Sequence, residues 1–94
     1  IQHSYELYQN YPNPFNPETE IQFSIAKSEK ITLIVYDILG HIVAELFNGE
    51  ISPGFHRIKW AGKSDSGKRV SGGIYFYKIT TTNFVETRKM IFLK

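Results

Sequence analysis

The parts of this 94-residue chain that could do chemistry are three histidines, nine acidic residues, one glycine-rich basic loop and a set of tyrosines. His3, His41 and His56 lie on a tail and two separate strand patterns, without the close spacing that turns two imidazoles toward one metal ion. His41 follows a turn and His56 sits on an alternating segment, so both read as structural. Glu6, Glu18, Glu20, Glu29, Glu45, Glu50 and Glu86 fall mostly in loops or on polar faces, and Asp37 and Asp65 sit in turns. None pairs as a general acid with a base. There is no cysteine, which removes thiolate chemistry and disulfides, and no G-x-S-x-G elbow. The loop GKSDSGKR, Gly62 to Arg69, lacks P-loop spacing and is not followed by a helix. Ser64 and Asp65 fall far short of a calcium shell. Tyr75 and Tyr77 are two apart on one strand pattern and face the same way. Such a pair could stack on a sugar, but it is more often a sheet face packed on its partner. The residues specify no catalytic constellation, metal site or cofactor.

The elements that must position these side chains are strands. Thr19–Ala26 sets Ile21, Phe23 and Ile25 on one face, with Gln22 and Ser24 on the other. Lys30–Asp37 is apolar on both faces and rich in β-branched residues, as a central strand is. His41–Asn48, Phe55–Gly62, Gly73–Thr82 and Phe84–Lys94 follow, with a short edge piece around Tyr5–Tyr8. Asp37-Ile38-Leu39-Gly40 fits a type I turn with glycine at the fourth position. Asn48-Gly49 and Pro53-Gly54 mark the next reversal, Asp65-Ser66-Gly67 a loop tip, and Thr82-Asn83 the last hairpin. No window shows a 3.6-residue period. The pattern predicts an all-β fold: an antiparallel immunoglobulin-like β-sandwich of about seven short strands.

Composition sets the outer limits. With 41% apolar and 15% aromatic residues, 94 residues make one domain with a core of its own. Eleven basic residues against nine acidic ones leave +2, scattered along the chain, which argues against a nucleic-acid partner. No apolar run approaches the roughly 20 residues of a membrane span. The opening IQHSYELYQN is not a signal peptide, and a start at Ile1 suggests a piece of a longer protein with any export signal upstream.

The most specific signal is the run NYPNPFNP, Asn10 to Pro17, which places three prolines and three asparagines in eight residues. Each proline fixes its own φ and holds the residue before it extended. Asn13, Pro14, Phe15, Asn16 and Pro17 therefore form a stiff lead-in, with Phe15 expected to anchor it to the core. Together with YDILG, the Gly54-Phe55-His56 segment leading to the Trp60 strand, the Gly67 loop, GIYFYK and the closing KMIFLK, this run resembles a known family. That family is the type A C-terminal sorting domain of the bacterial type IX (Por) secretion system, related to the Ig-like domain of flagellar hook-capping proteins. The resemblance covers about residues 7–94. It departs from the family pattern at Ala61, Ser64, His41 and the Gly72-Gly73 pair.

The resemblance implies a non-catalytic module that ends a secreted protein and directs an upstream cargo domain to the cell surface or medium, via the periplasm. Its implied partners are the type IX outer-membrane translocon and a sortase-like peptidase that cleaves before the sandwich, within Ile1–Gln9. Residues 1–8 would then be a linker or edge segment and residues 9–94 the sorting domain. Two surfaces are candidates for recognition: the closing strand Lys89, Met90, Ile91, Phe92, Leu93 and Lys94, gathered at an exposed edge, and the Asp37–Gly40 turn. Two other classes stay open. One is a structural Ig-like protein-interaction domain; the other is a carbohydrate-binding accessory module of a secreted hydrolase, working through Tyr75 and Tyr77.

Overall fold

Two antiparallel sheets form the molecule, and the computed structural model describes residues 3–94 of it. In chain order the strands are β1 (Glu6–Leu7), β2 (Thr19–Ile25), β3 (Glu29–Tyr36), β4 (Ile42–Ile51), β5 (Gly54–Trp60), β6 (Gly73–Thr80) and β7 (Val85–Phe92). One sheet runs β1-β2-β5 and the other β4-β3-β6-β7. The fold class is the all-β sandwich that period-two patterning calls for. Among the described residues no helix is long and apolar enough to cross a membrane.

The core lies between the sheets, and alternation decides what enters it. Ile21, Phe23 and Ile25 of β2 are fully buried, as are Ile31, Leu33 and Val35 of β3. From β6 come Tyr75, Tyr77 and Ile79, and from β7 Met90 and Phe92. Strand β3 is central, between β4 and β6, as its two apolar faces predict.

One turn signal fails. Strand β4 runs through Asn48-Gly49 to Ile51, because Asn48 pairs with Thr32 and Gly49 with Ile31 across the ladder to β3. Ladder hydrogen bonds there override a local turn preference, and the reversal falls at Ser52-Pro53 instead. The β3–β4 register also shifts twice, between Leu33 and Ile34 and between Val35 and Tyr36. Those bulges break the simple alternation of β4.

Polar groups tie the N-terminal strap to both sheets. The buried Tyr77 hydroxyl donates to the Tyr8 carbonyl at 2.7 Å and accepts from the Asn10 amide at 2.8 Å. Asn10, itself buried, donates through its side chain to Thr19 and to the Pro12 carbonyl. Glu29, at the start of β3, accepts from the Tyr5 hydroxyl and from the Thr82 amide. The Tyr5 hydrogen bond holds its carboxyl below the usual range, against the opposing effect of burial. Ser24 donates to the Ser4 carbonyl and Arg88 Nε to that of Leu7. Of Ile1–Gln9, where cleavage is expected, the part from Ser4 to Gln9 is thus bonded into the sandwich, and Ile1 and Gln2 lie outside the described residues.

Burial pushes the Tyr77 hydroxyl up to about 12. A folded pKa above the unfolded value near 10 means the neutral phenol stabilises the fold fully below about pH 10. That contribution is lost as pH rises toward 12. Tyr77→Phe is expected to cost about 1–3 kcal/mol at pH 7, since it leaves the Asn10 amide without its partner. The variant should also lose less stability than the parent between pH 10 and 12. Parallel urea titrations at both pH values check this; equal alkaline losses in the two proteins would reject the assignment.

Candidate functional site

The two surfaces singled out in the sequence meet at one end of the larger sheet. Tyr36, the last residue of β3, pairs with Phe76 of β6, and Gly73, the first residue of β6, pairs with Phe92 of β7. The start of β6 therefore lies between the Asp37–Gly40 turn and the end of the closing strand. With neighbouring strands about 4.8 Å apart, the two are separated by roughly 10 Å. Asp37, Ile38, Gly72, Gly73, Ile74 and Tyr75 line a shallow groove between them.

Asp37 builds the turn. Its Oδ1 accepts from the amides of Leu39 and His41, both at 2.9 Å, while the Gly40 amide closes the turn onto the Asp37 carbonyl at 3.0 Å. The His41 and Leu39 amides hold the carboxyl below its usual range, and the His41 ring stands 3.3 Å from Oδ2. Gly40 has φ +86°, which explains the glycine at that position. The turn presents Ile38 and Leu39 to solvent, 66% and 76% exposed.

The closing strand is less open than the sequence suggests. Met90 and Phe92 are core residues, 0% and 2% exposed, so neither belongs to a surface. Nor is the edge of β7 free. The Phe15 amide donates to the Ile91 carbonyl at 3.0 Å, the Leu93 amide to the Phe15 carbonyl at 2.9 Å, and the Ile91 amide to Asn13 Oδ1 at 2.9 Å. Gln9 Nε2 adds a bond to the Lys89 carbonyl at 2.8 Å. The proline-rich lead-in is thus a clip along β7, with a parallel bridge between Phe15 and Phe92. Its three X-Pro bonds, before Pro12, Pro14 and Pro17, are cis. What β7 and the two residues after it leave at the surface is side chains: Lys89, Leu93 and Lys94, with Ile91 half-buried. Lys94 also packs close over Gly72, where an added Cβ would stand 3.0 Å from the lysine's own.

Tyr75 and Tyr77 point between the sheets, 7% and 0% exposed. Trp60 meets Tyr75 edge-on at 5.5 Å, and the Tyr75 hydroxyl donates to the Ser71 carbonyl at 2.6 Å. Neither ring has a free face for a sugar, so the stacking reading is withdrawn. Alternation alone shows that the pair shares a face, but not which face is inner. Among the described residues no three His, Cys, Asp or Glu side chains gather to hold a metal ion.

The GKSDSGKR loop has a role that sequence reading missed. Asp65 caps the edge of β4: its carboxylate accepts from the Glu45 amide at 3.0 Å, and its own amide donates to the Val43 carbonyl at 3.1 Å. Part of each edge of the larger sheet is therefore blunted, one by Asp65 and the other by the lead-in.

A seven-strand sandwich of two antiparallel sheets, with the edges of the larger one partly capped, defines the class: an Ig-like β-sandwich domain. Within that class the chain belongs to the FlgD Ig-like domain family, whose model matches residues 13–84. It is similar to the basal-body rod modification protein FlgD of Salmonella typhimurium, at 36% identity over 56 residues, 60% of this chain. The same figures hold for the Salmonella typhi protein. The chain spans only 24% of the length of these relatives. Among solved structures, dimeric latent PorU from Porphyromonas gingivalis matches 99% of this chain with 10% of its own, at TM-score 0.77 and 17% identity. PorZ from the same organism matches 94% of this chain with 11% of its own, at TM-score 0.62 and 18% identity. FlgD from P. aeruginosa matches 79% of this chain with 58% of its own, at TM-score 0.61 and 24% identity. At these identities the structural likeness establishes the fold.

Proposed function

We propose that this Ig-like domain is a non-catalytic secretion and sorting module, which directs an attached cargo protein through a type IX secretion system to the cell surface or medium. The observation that carries the reading is the convergence of the closing strand and the Asp37–Gly40 turn on one end, where Ile38, Leu39, Leu93 and Lys94 are all exposed. A translocon component would read that end through side chains, since the lead-in already occupies the backbone edge. The likeness to PorZ supports this, because PorZ is described as an essential bacterial surface component of the type IX secretion system. A sortase-like peptidase, if it separates cargo from domain, would act ahead of the bonded stretch that begins near Ser4.

A structural, protein-interaction role is the second reading. It is favoured by the sequence match to the basal-body rod modification proteins.

The test is a transplant. Residues 1–94 are fused behind a fluorescent reporter carrying an inner-membrane export signal, in a bacterium with an active type IX system. Leu93→Glu with Lys94→Glu changes the proposed end without touching the core, since both side chains are exposed. We expect reporter outside the cell for the parent, periplasmic retention for the double variant, and retention in a host lacking the translocon. A folded parent domain held in the periplasm of every host would sink the sorting role and leave the structural one.

A further inference from the structure

The outward face of the larger sheet carries six apolar side chains among its polar ones: Ile34, Tyr36, Ile42, Ile74, Phe76 and Ile91, all at least partly exposed. Strand register sets its rows. Ile42, Tyr36, Phe76 and Lys89 lie side by side across β4, β3, β6 and β7, and Glu45, Ile34, Lys78 and Thr87 form the next row. Ile74 and Ile91 extend it toward the turn. These residues alternate with the buried Leu33, Val35, Tyr75, Tyr77 and Met90, which places them on the outer side. Ile42 is 61% and Ile74 42% exposed.

We propose that this face is the contact surface between two copies of the chain. Charge placement selects the occupant. Glu45 stands on the β4 side of the face, and Lys78 and Lys89 on the β6–β7 side. A two-fold axis parallel to the strands, between β3 and β6, exchanges those sides. It lays Tyr36 over the second copy's Phe76, and sets each Glu45 beside the second copy's Lys78 and Lys89. An axis across the strands would instead set like charge on like. The self-complementary pattern is thus an isologous one, with aromatic residues at its centre and charges toward its rim.

Size fits a modest dimer. Four strands by eight residues give a face of about 500 Å² per copy, or about 1,000 Å² in all, at the lower limit for a specific interface. Edge-to-edge pairing through the larger sheet competes poorly, because Asp65 and the lead-in cover parts of both its edges.

Sedimentation equilibrium on the 94-residue chain tests the proposal. The parent is expected to show a monomer–dimer equilibrium with Kd of about 10–500 μM. Glu45→Lys and Lys89→Glu should each weaken it about tenfold or more, and the double exchange should restore it to within about threefold of the parent. Both side chains are exposed, so circular dichroism should show parent-like folding in all variants. A parent that stays monomeric to about 1 mM overturns the proposal. So does a dimer indifferent to both single exchanges, or one that the double exchange leaves weak. Secretion of the reporter above is read separately, so failure of either idea leaves the other standing.

Discussion

Phe15→Ala is expected to remove about 3–5 kcal/mol of stability, the usual result of emptying a buried phenylalanine site. Phe15 is 1% exposed. Its ring stacks on Phe92 at 4.9 Å and tilts against Trp60 at 5.7 Å. A domain of this length holds about 5–14 kcal/mol in all, so the loss is about a fifth of the total or more. The melting temperature should fall by about 12 °C or more. The position also has leverage beyond its own methylenes. Phe15 carries the backbone amide and carbonyl that clip the lead-in to Ile91 and Leu93, and a cavity beneath it loosens that clip. Asn13→Ala provides the contrast: it removes one exposed hydrogen bond to the Ile91 amide and should cost only about 0.5–1.5 kcal/mol. Urea denaturation of the three proteins gives both numbers. A Phe15→Ala variant within about 1 kcal/mol of the parent would refute the anchor.

The clip also shows where sequence reading stops. Strands were legible because inner-face alternation is a local property: Ile21-x-Phe23-x-Ile25 and Ile31-x-Leu33-x-Val35 state their burial in five residues each. The Asp37 turn was legible for the same reason, its hydrogen bonds all lying within four residues. The stiffness of Asn10–Pro17 could be read from its prolines, and Phe15 was the obvious anchor. Its partner could not be read, since the bridge to Phe92 joins opposite ends of the chain. The same holds for Asp65 on β4: a loop aspartate looks identical whether it caps its own turn or another strand's edge. The closing strand reads as an open edge because nothing near KMIFLK says what lies beside it. The outer face was half legible. Lys30–Asp37 showed apolar residues on both sides, but only the register across β3, β6 and β7 gathers Ile34, Tyr36, Ile74, Phe76 and Ile91 into one surface.

Gly62→Ala is the second large effect, and it strikes the same cluster from the other side. Gly62 has φ +67°, where a side chain costs about 1–2 kcal/mol. An added Cβ would also stand 2.7 Å from Phe92 Cζ and 2.8 Å from Cε2. That ring is held between Phe15 and Trp60, so relief requires moving the core, at about 1–3 kcal/mol more. The expected total is about 2–5 kcal/mol. Gly40→Ala separates the two contributions: its φ is +86°, but nothing lies within 4 Å of the added carbon, so only the backbone cost of about 1–2 kcal/mol remains. If the contact with Phe92 is the reason for the excess, emptying the Phe15 site should give that ring somewhere to go. The Phe15→Ala, Gly62→Ala double variant should then be less destabilised than the sum of its parts, by about 0.5–3 kcal/mol. Strict additivity in denaturant unfolding would mean that Phe92 does not shift, and that Gly62 is required for its backbone angle alone.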